Sequence, residues 1–172
     1  NLYLVALKFD AATFAVYSVG WMNIPISQIL IESVGTVLIP RVSALAAVGD
    51  YAEILRVCLA AAQKLALAFF PIFALLAVVH FEFVVLLSRE RYAASAPIFL
   101  ANISVLPFFI FMTDPVSRAF PRLQGVQLSI RLFVIVLMVA VMWFIALPKG
   151  LIAGAATAAS GLILDRLLLA YY

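Results

Sequence analysis

The sequence predicts an all-α, polytopic membrane protein, a helical bundle of about five to six transmembrane helices that forms one domain over residues 1–172. Hydrophobic residues make up 67% of the chain and charged residues only 11%, whereas a soluble domain is close to half apolar and a quarter charged. The apolar residues also form long runs, without the alternation of a membrane β-barrel strand. Lipid is therefore the expected solvent for most of the surface.

Five apolar segments reach the roughly 20 residues that a spanning helix needs. They cover residues 14–39, 65–87, 96–117, 130–147 and 150–171, and residues 1–9 look like the end of a sixth. The chain begins at Asn1 and carries no signal-peptide pattern. We therefore expect it to be a fragment of a longer protein.

The first span contains polar residues and a proline, in the stretch "GWMNIPISQILIESVGTVLIPR". Gln28 and Glu32 lie one turn apart on one face, with Asn23 just before them. An ionised carboxylate at this depth costs at least ~2.5 kcal/mol, so Glu32 is expected to face the bundle interior or water, or to be protonated. One interpretation is a cavity-lining face on which Glu32 binds a proton, a cation or a polar substrate, and the other is a structural hydrogen bond between helices. Pro25 predicts a kink.

The third span carries a second polar group, Asn102 with Ser104 and Pro107 close by. This group predicts a broken, cavity-lining helix with a kink at Pro107, and an amide bonded to a neighbouring helix is the alternative. Asp114 and Arg118 lie one turn apart at the end of the same span. We expect an ion pair there, with a role at a cavity mouth as the alternative.

Residues 40–64 and 118–131 are predicted to be the longer connections. Asp50 and Glu53 form a capping box, which predicts that a helix starts there. The apolar and polar faces of residues 49–64 fit a short helix lying on the membrane surface, or a solvated loop helix. In the last span, Gly150, Gly154 and Ala158 recur at four-residue spacing, which predicts close packing against other helices.

The positive charges favour one side of the membrane. Seven of the eleven Lys and Arg residues fall on the side of the two longer connections and the C-terminus: Arg41, Arg56, Lys64, Arg118, Arg122, Arg131 and Arg166. The other side has four: Lys8, Arg89, Arg91 and Lys149. The richer side is predicted to be cytoplasmic.

Motifs of enzymes and of metal or nucleotide sites are not found in the sequence. It contains no GxxxxGK[ST], HExxH, CxxC or GxSxG pattern, and Cys58 is the only cysteine. The basic residues are scattered and never form a run. We therefore expect a protein that is not an enzyme and has no catalytic residue, cofactor, metal or nucleic-acid partner.

Three stretches carry a resemblance to a known family. They are "YSVG…IP" at 17–25, the "PR-S-L…GD" loop at 40–50, and "ERY-AS-PIF" at 90–99. They resemble the C-terminal half of bacterial polysaccharide flippases, in the multidrug/oligosaccharidyl-lipid/polysaccharide exporter superfamily. The resemblance runs over roughly residues 9–100, and "TDPVSRAFPRLQG" and the small-residue last helix follow in the expected order.

The resemblance implies two six-helix bundles around a partly hydrated cavity, with this chain as most of the second bundle. It implies export of lipid-linked oligosaccharide across the bacterial inner membrane by alternating access, coupled to a proton or sodium gradient. The partners it implies are membrane lipids, that substrate and the N-terminal half of the same protein. The sequence departs from the family in one respect, because its arginines are predicted at helix ends and none in mid-span.

Other functions stay open on the sequence. A drug or cation antiporter of the same superfamily would need a deep carboxylate, which Glu32 supplies. A non-transport membrane scaffold would have no functional need for Glu32, Gln28 or Asn102. The "GD" loop and the "ERY" stretch favour the polysaccharide branch over the antiporter.

Overall fold

The computed structural model describes residues 1–111 and 113–171, and for residues 113, 114, 121 and 122 only the backbone. Within this part the chain is helical and has no strand. The α-helices are α1 Leu2–Lys8, α2 Ala11–Gly20, α3 Pro25–Val48, α4 Tyr51–Val78, α5 His80–Ser88, α6 Ala96–Ile103, α7 Thr113–Ala119, α8 Pro121–Val141 and α9 Leu151–Tyr171. Short 3-10 segments cover Glu90–Ser95, Leu106–Ile110 and Leu147–Lys149, and Met142–Ala146 is a π-helical turn.

Five helical stretches in the described part are long and apolar enough to cross a membrane, which confirms the predicted multi-pass all-α bundle. They are Pro25–Val48, Tyr51–Val78, Glu90–Ile110, Leu123–Lys149 and Leu151–Tyr171. Large apolar side chains point outward along them. Leu67 is 79% exposed and Phe144 is 76% exposed, as expected where the surrounding solvent is lipid.

The predicted first span, 14–39, is wrong as a single kinked helix. The chain forms α2 and then α3, and residues 21–24 between them are not helical. Pro25 does not kink a continuous helix but occupies the first turn of α3, where its missing N–H costs nothing. Ile24 before it is extended, at φ −95° and ψ 106°, as the ring of a following proline requires.

The predicted long connection over residues 40–64 is also wrong. Helix α3 continues past Pro40 to Val48, and α4 starts at Tyr51, so the turn is confined to Gly49 and Asp50. Gly49 adopts φ 75°, a left-handed conformation that glycine reaches without strain. The amphipathic residues are the first turns of α4 rather than a separate surface helix.

The predicted start of that helix is confirmed. The Asp50 carboxylate accepts a hydrogen bond from the Glu53 backbone N–H at 3.0 Å. Asp10 caps α2 in the same way, accepting from the Ala12 N–H. A hydrogen bond from the Thr13 side chain keeps the pKa of Asp10 below its ordinary value.

The third span changes from α-helix to 3-10 helix after Ile103, and Ser104 and Val105 keep right-handed helical backbone angles. The predicted break is therefore only a change of helix type, and a cavity beside it stays a prediction. Pro107 lies in the 3-10 segment that follows α6, so it does not kink one continuous α-helix. The predicted connection 118–131 is wrong, because α7 covers its first residues and α8 begins at Pro121. Proline again stands in the first turn of a helix, where it is tolerated.

The last helix packs closely, as predicted. Gly154, Ala155, Ala158 and Ala159 on α9 are buried, and α9 contacts both α6 and α8. These small side chains let helix backbones approach, which is how membrane helices gain packing energy. The turn before α9 ends at Gly150, whose φ is 111°.

The α3–α4 turn and the α7–α8 junction, which replace the two longer predicted connections, lie at the same end of the bundle. At this end, the α3–α4 turn meets the junction of α7 and α8, where the rings of Tyr51 and Phe120 lie 6.0 Å apart. At the other, the Lys8 ammonium donates to the Trp143 carbonyl at 3.3 Å. The predicted grouping of the two connections on one side is therefore consistent with the fold.

Candidate functional site

The polar residues of the first predicted span lie on or just before α3 and are exposed. Asn23 sits in the break before α3, and Gln28 and Glu32 follow one turn apart on the helix. The side of α3 that packs inward is formed by Ser27, Leu38 and Val42. The three candidate residues thus share a surface that the described part of the chain leaves uncovered.

Hydroxyl groups beside this surface are satisfied within α3 itself. Ser27 donates to the Ile24 carbonyl at 2.7 Å, and Ser33 donates to the Ile29 carbonyl at 2.6 Å. Glu32 differs from them, because its carboxylate has no hydrogen-bond or ion-pair partner among the side chains that the structure describes. Its charge therefore has to be met by water or by groups beyond these residues.

Asn102 connects α6 to the non-helical residues between α2 and α3. It is half-buried on α6, and its side-chain amide donates to the Met22 carbonyl at 2.8 Å. Met22 lies between α2 and α3, where backbone carbonyls have no helical partner. Of the two interpretations of Asn102, this geometry favours the amide bonded to a neighbouring segment.

Of the predicted pair Asp114 and Arg118, the structure describes the side chain of Arg118. Arg118 lies in the last turn of α7 and is exposed. The side chain of Asp114 lies outside the described residues, so the expected Asp114–Arg118 ion pair stays a prediction. Pro107 lies in the 3-10 segment Leu106–Ile110, which directly precedes α7 in the element order.

A charged pair inside the membrane-spanning part escaped the sequence analysis. Arg131 lies well inside α8 rather than at a helix end, and its Nε is 4.0 Å from Asp165 Oδ2 on α9. Its side chain is 38% exposed and that of Asp165 is 16% exposed. The expectation that no arginine is in mid-span is therefore wrong.

The neighbouring cation takes a different partner. The Arg166 guanidinium lies 5.3 Å from the centre of the Phe109 ring, a cation–π contact. Asp165 and Arg166, adjacent in sequence, thus reach towards different segments. The signal that could have placed Arg131 was Pro121, because proline in a first helical turn moves the start of α8 ten residues ahead of the arginine.

Comparisons with known proteins return no match: no family model fits the chain, and no curated protein and no solved structure is similar to it.

Proposed function

We propose that the chain is part of a membrane transporter that moves lipid-linked oligosaccharide across the bacterial inner membrane by alternating access. The observation that carries the proposal is the uncovered polar surface of α3, with Asn23, Gln28 and Glu32. In contact with lipid, Glu32 would either stay ionised at a cost of at least ~2.5 kcal/mol or have to take up a proton. A water-filled cavity removes that cost, so this surface is where we place the transport path.

The discontinuous helices support the same proposal. Irregular backbone at membrane depth is tolerated where it lines a cavity or is buried in protein, and transporter sites are often built on such breaks. Here the break at 21–24 lies beside the end of α6, where the helix changes to 3-10, and the Asn102 amide joins the two segments. In this proposal Asn102 keeps the wall of the path in shape, and Asn23 and Pro25 border it.

The substrate class comes from the sequence resemblance to polysaccharide flippases. Their lipid-linked sugars carry phosphate, so cationic side chains are relevant, and Lys64 and Arg131 both lie well inside a span. Arg131 is already paired with Asp165. In our proposal the further cationic contacts to the substrate come from the N-terminal half of the protein, which also completes the cavity.

An ion-coupled antiporter of drugs or cations is the second candidate. The exposed Glu32 carboxylate favours it, because such pumps exchange their cargo against a proton or sodium ion at an acidic group. The two candidates differ in what Glu32 has to do. In a flippase it contributes to the polar wall or to coupling, and in the antiporter it must bind and release the ion.

The first test replaces Glu32 in the complete transporter. We expect Glu32→Ala to lower surface polysaccharide at least about tenfold, the loss that ~1.4 kcal/mol of transition-state stabilisation produces. Surface polysaccharide is measured by immunoblotting, with membrane insertion checked in parallel. Ser33→Ala is the matched control, because the Ser33 hydroxyl is already bonded within its own helix.

Normal export by a well-inserted Glu32→Ala protein would contradict the proposal. Glu32→Gln distinguishes the two roles of the carboxylate. An inactive Gln variant indicates that Glu32 must take up and release a proton or cation, and an active one indicates that hydrogen bonding is enough. Export of a cationic dye by the wild type, without any effect on polysaccharide, would favour the antiporter.

A further inference from the structure

A second feature, separate from the polar surface of α3, is a cleft of about 350 Å³ between α4, α7, α8 and the end of α9. This volume is within the range of small-molecule binding sites. Its walls are mostly aliphatic, with Leu55 and Leu59 on one side and Val126 and Ile130 on the other. Two polar side chains, Ser117 and Gln127, also line it.

The cleft lies at one end of the bundle and extends to the depth of one leaflet. On α4 its lining residues fall within 55–62, on α8 within 123–130, and on α9 they are the residues just before the C-terminal tyrosines. Eight helical residues span about 12 Å, and half of a hydrocarbon core is about 15 Å. The cleft thus starts at the interface and ends near the bilayer midplane.

The interface end of the cleft is rich in cations. Arg56 and Arg118 directly follow the lining residues Leu55 and Ser117, and both are exposed. Arg56 shares the Glu53 carboxylate with Arg41, with contacts of 2.8 Å and 3.4 Å. Arg41 and Arg56 are balanced by the carboxylates of Glu53 and of Asp50, which caps the same turn. Arg118 adds a further positive charge at this end of the cleft, and a cation there attracts anionic headgroups.

We propose that this cleft binds one anionic phospholipid of the surrounding leaflet, with an acyl chain between α4 and α8 and the phosphate at Arg56 and Arg118. An apolar hollow that stays empty forfeits the dispersion contacts of its lining atoms. An acyl chain of a bilayer lipid is apolar and lies at the same depth as the cleft, so it can restore these contacts. The acyl chain moves from bulk lipid to a protein surface that is equally apolar, so its transfer gains no hydrophobic free energy. Preference for this lipid therefore comes from the packing of its acyl chain and from the contacts of its headgroup.

Cys58 provides the measurement, because it lines the cleft and is the only cysteine of the chain. The intact chain in dodecyl maltoside is alkylated with N-ethylmaleimide, with and without dioleoylphosphatidylglycerol, and followed by mass spectrometry. We expect the lipid to slow alkylation on the order of tenfold when it is present at ten times its dissociation constant. Phosphatidylcholine at the same mole fraction should protect less.

A matched pair of variants distinguishes protection of Cys58 by lipid bound in the cleft from protection by the surrounding micelle. Ala62→Phe fills the cleft, because Ala62 lines it, whereas Ala60 lies on α4 outside it and is exposed. The Ala60→Phe protein should keep lipid-dependent protection of Cys58, and the Ala62→Phe protein should lose it. Equal protection in both variants would overturn the proposal, since it would come from the bulk micelle.

Two further results would also overturn it. Alkylation that is as slow without phosphatidylglycerol as with it would mean that this lipid does not cover Cys58. Equal protection of Cys58 by phosphatidylglycerol and phosphatidylcholine would contradict the proposed headgroup site at Arg56 and Arg118.

Discussion

At the scale of single residues, Gly20 fixes how closely α2 can approach the third span. A Cβ atom at this position would lie 2.6 Å from Ile98 Cβ and 2.8 Å from the Ser95 carbonyl oxygen. The Ser95 hydroxyl donates to the Val16 carbonyl at 2.7 Å, one turn before Gly20. The sequence pattern of small residues identified the close packing of α9 but not this contact, because a lone glycine beside a polar stretch has no periodic partner.

Replacing Gly20 by alanine should therefore destabilise the protein. The new methyl group meets a backbone oxygen and a branched side chain, neither of which can move away freely, so we expect a loss of about 1–3 kcal/mol. Unfolding in mixed micelles, monitored by circular dichroism, measures the change. Gly125→Ala is the matched control, because nothing lies within 4 Å of a Cβ there and alanine favours the helix by up to ~1 kcal/mol. A Gly20→Ala protein as stable as wild type would show that α2 and α6 are loosely packed.

At the scale of elements, hydropathy predicted the number of spans but not the ends of the first two, which are Pro25–Val48 and Tyr51–Val78. What hydropathy could not decide was whether Pro25 bends a helix or begins one, because both are compatible with the same apolar run. It also could not show that Pro40 and Pro71 lie inside continuous helices. Those outcomes depend on tertiary partners such as Asn102, which stabilises the ends at the α2–α3 break.

The contribution of Asn102 can be measured directly. Asn102→Leu keeps the side-chain size but removes the donor to the Met22 carbonyl, so we expect it to cost about 1–3 kcal/mol. Unfolding in mixed micelles gives the free energy, and hydrogen exchange of residues 21–24 shows whether the loss is local. Asn23→Leu serves as the control for stability, since Asn23 is exposed in the same break. Identical stability of the two variants would argue that the Asn102 bond is unimportant.

At the scale of the whole molecule, the number of spans could be predicted from composition and hydropathy. Contacts between distant segments could not, and the Arg131–Asp165 pair is the clearest case, since the two residues are far apart in sequence. For the candidate site, the sequence pointed to Gln28 and Glu32. Only the fold shows that the described part of the chain leaves Gln28 and Glu32 exposed. The fold also shows that the Asn102 side-chain amide donates a hydrogen bond to the Met22 carbonyl.

The orientation of the bundle in the membrane is the remaining prediction at this scale. Of the seven basic residues that the sequence assigned to the side of the α3–α4 turn, Lys64 and Arg131 lie well inside α4 and α8. Five remain towards that end, against the four assigned to the other side, so the α3–α4 turn should be cytoplasmic. In a Cys58→Ser background, Lys149→Cys should react with a membrane-impermeant maleimide on intact spheroplasts, because Lys149 is exposed at the opposite end. Val48→Cys, which is 77% exposed in wild type at the basic end, should react only after lysis. The reverse labelling pattern would show that the α3–α4 turn faces the outside of the membrane. The proposed lipid cleft beside this turn would then lie in the outer leaflet.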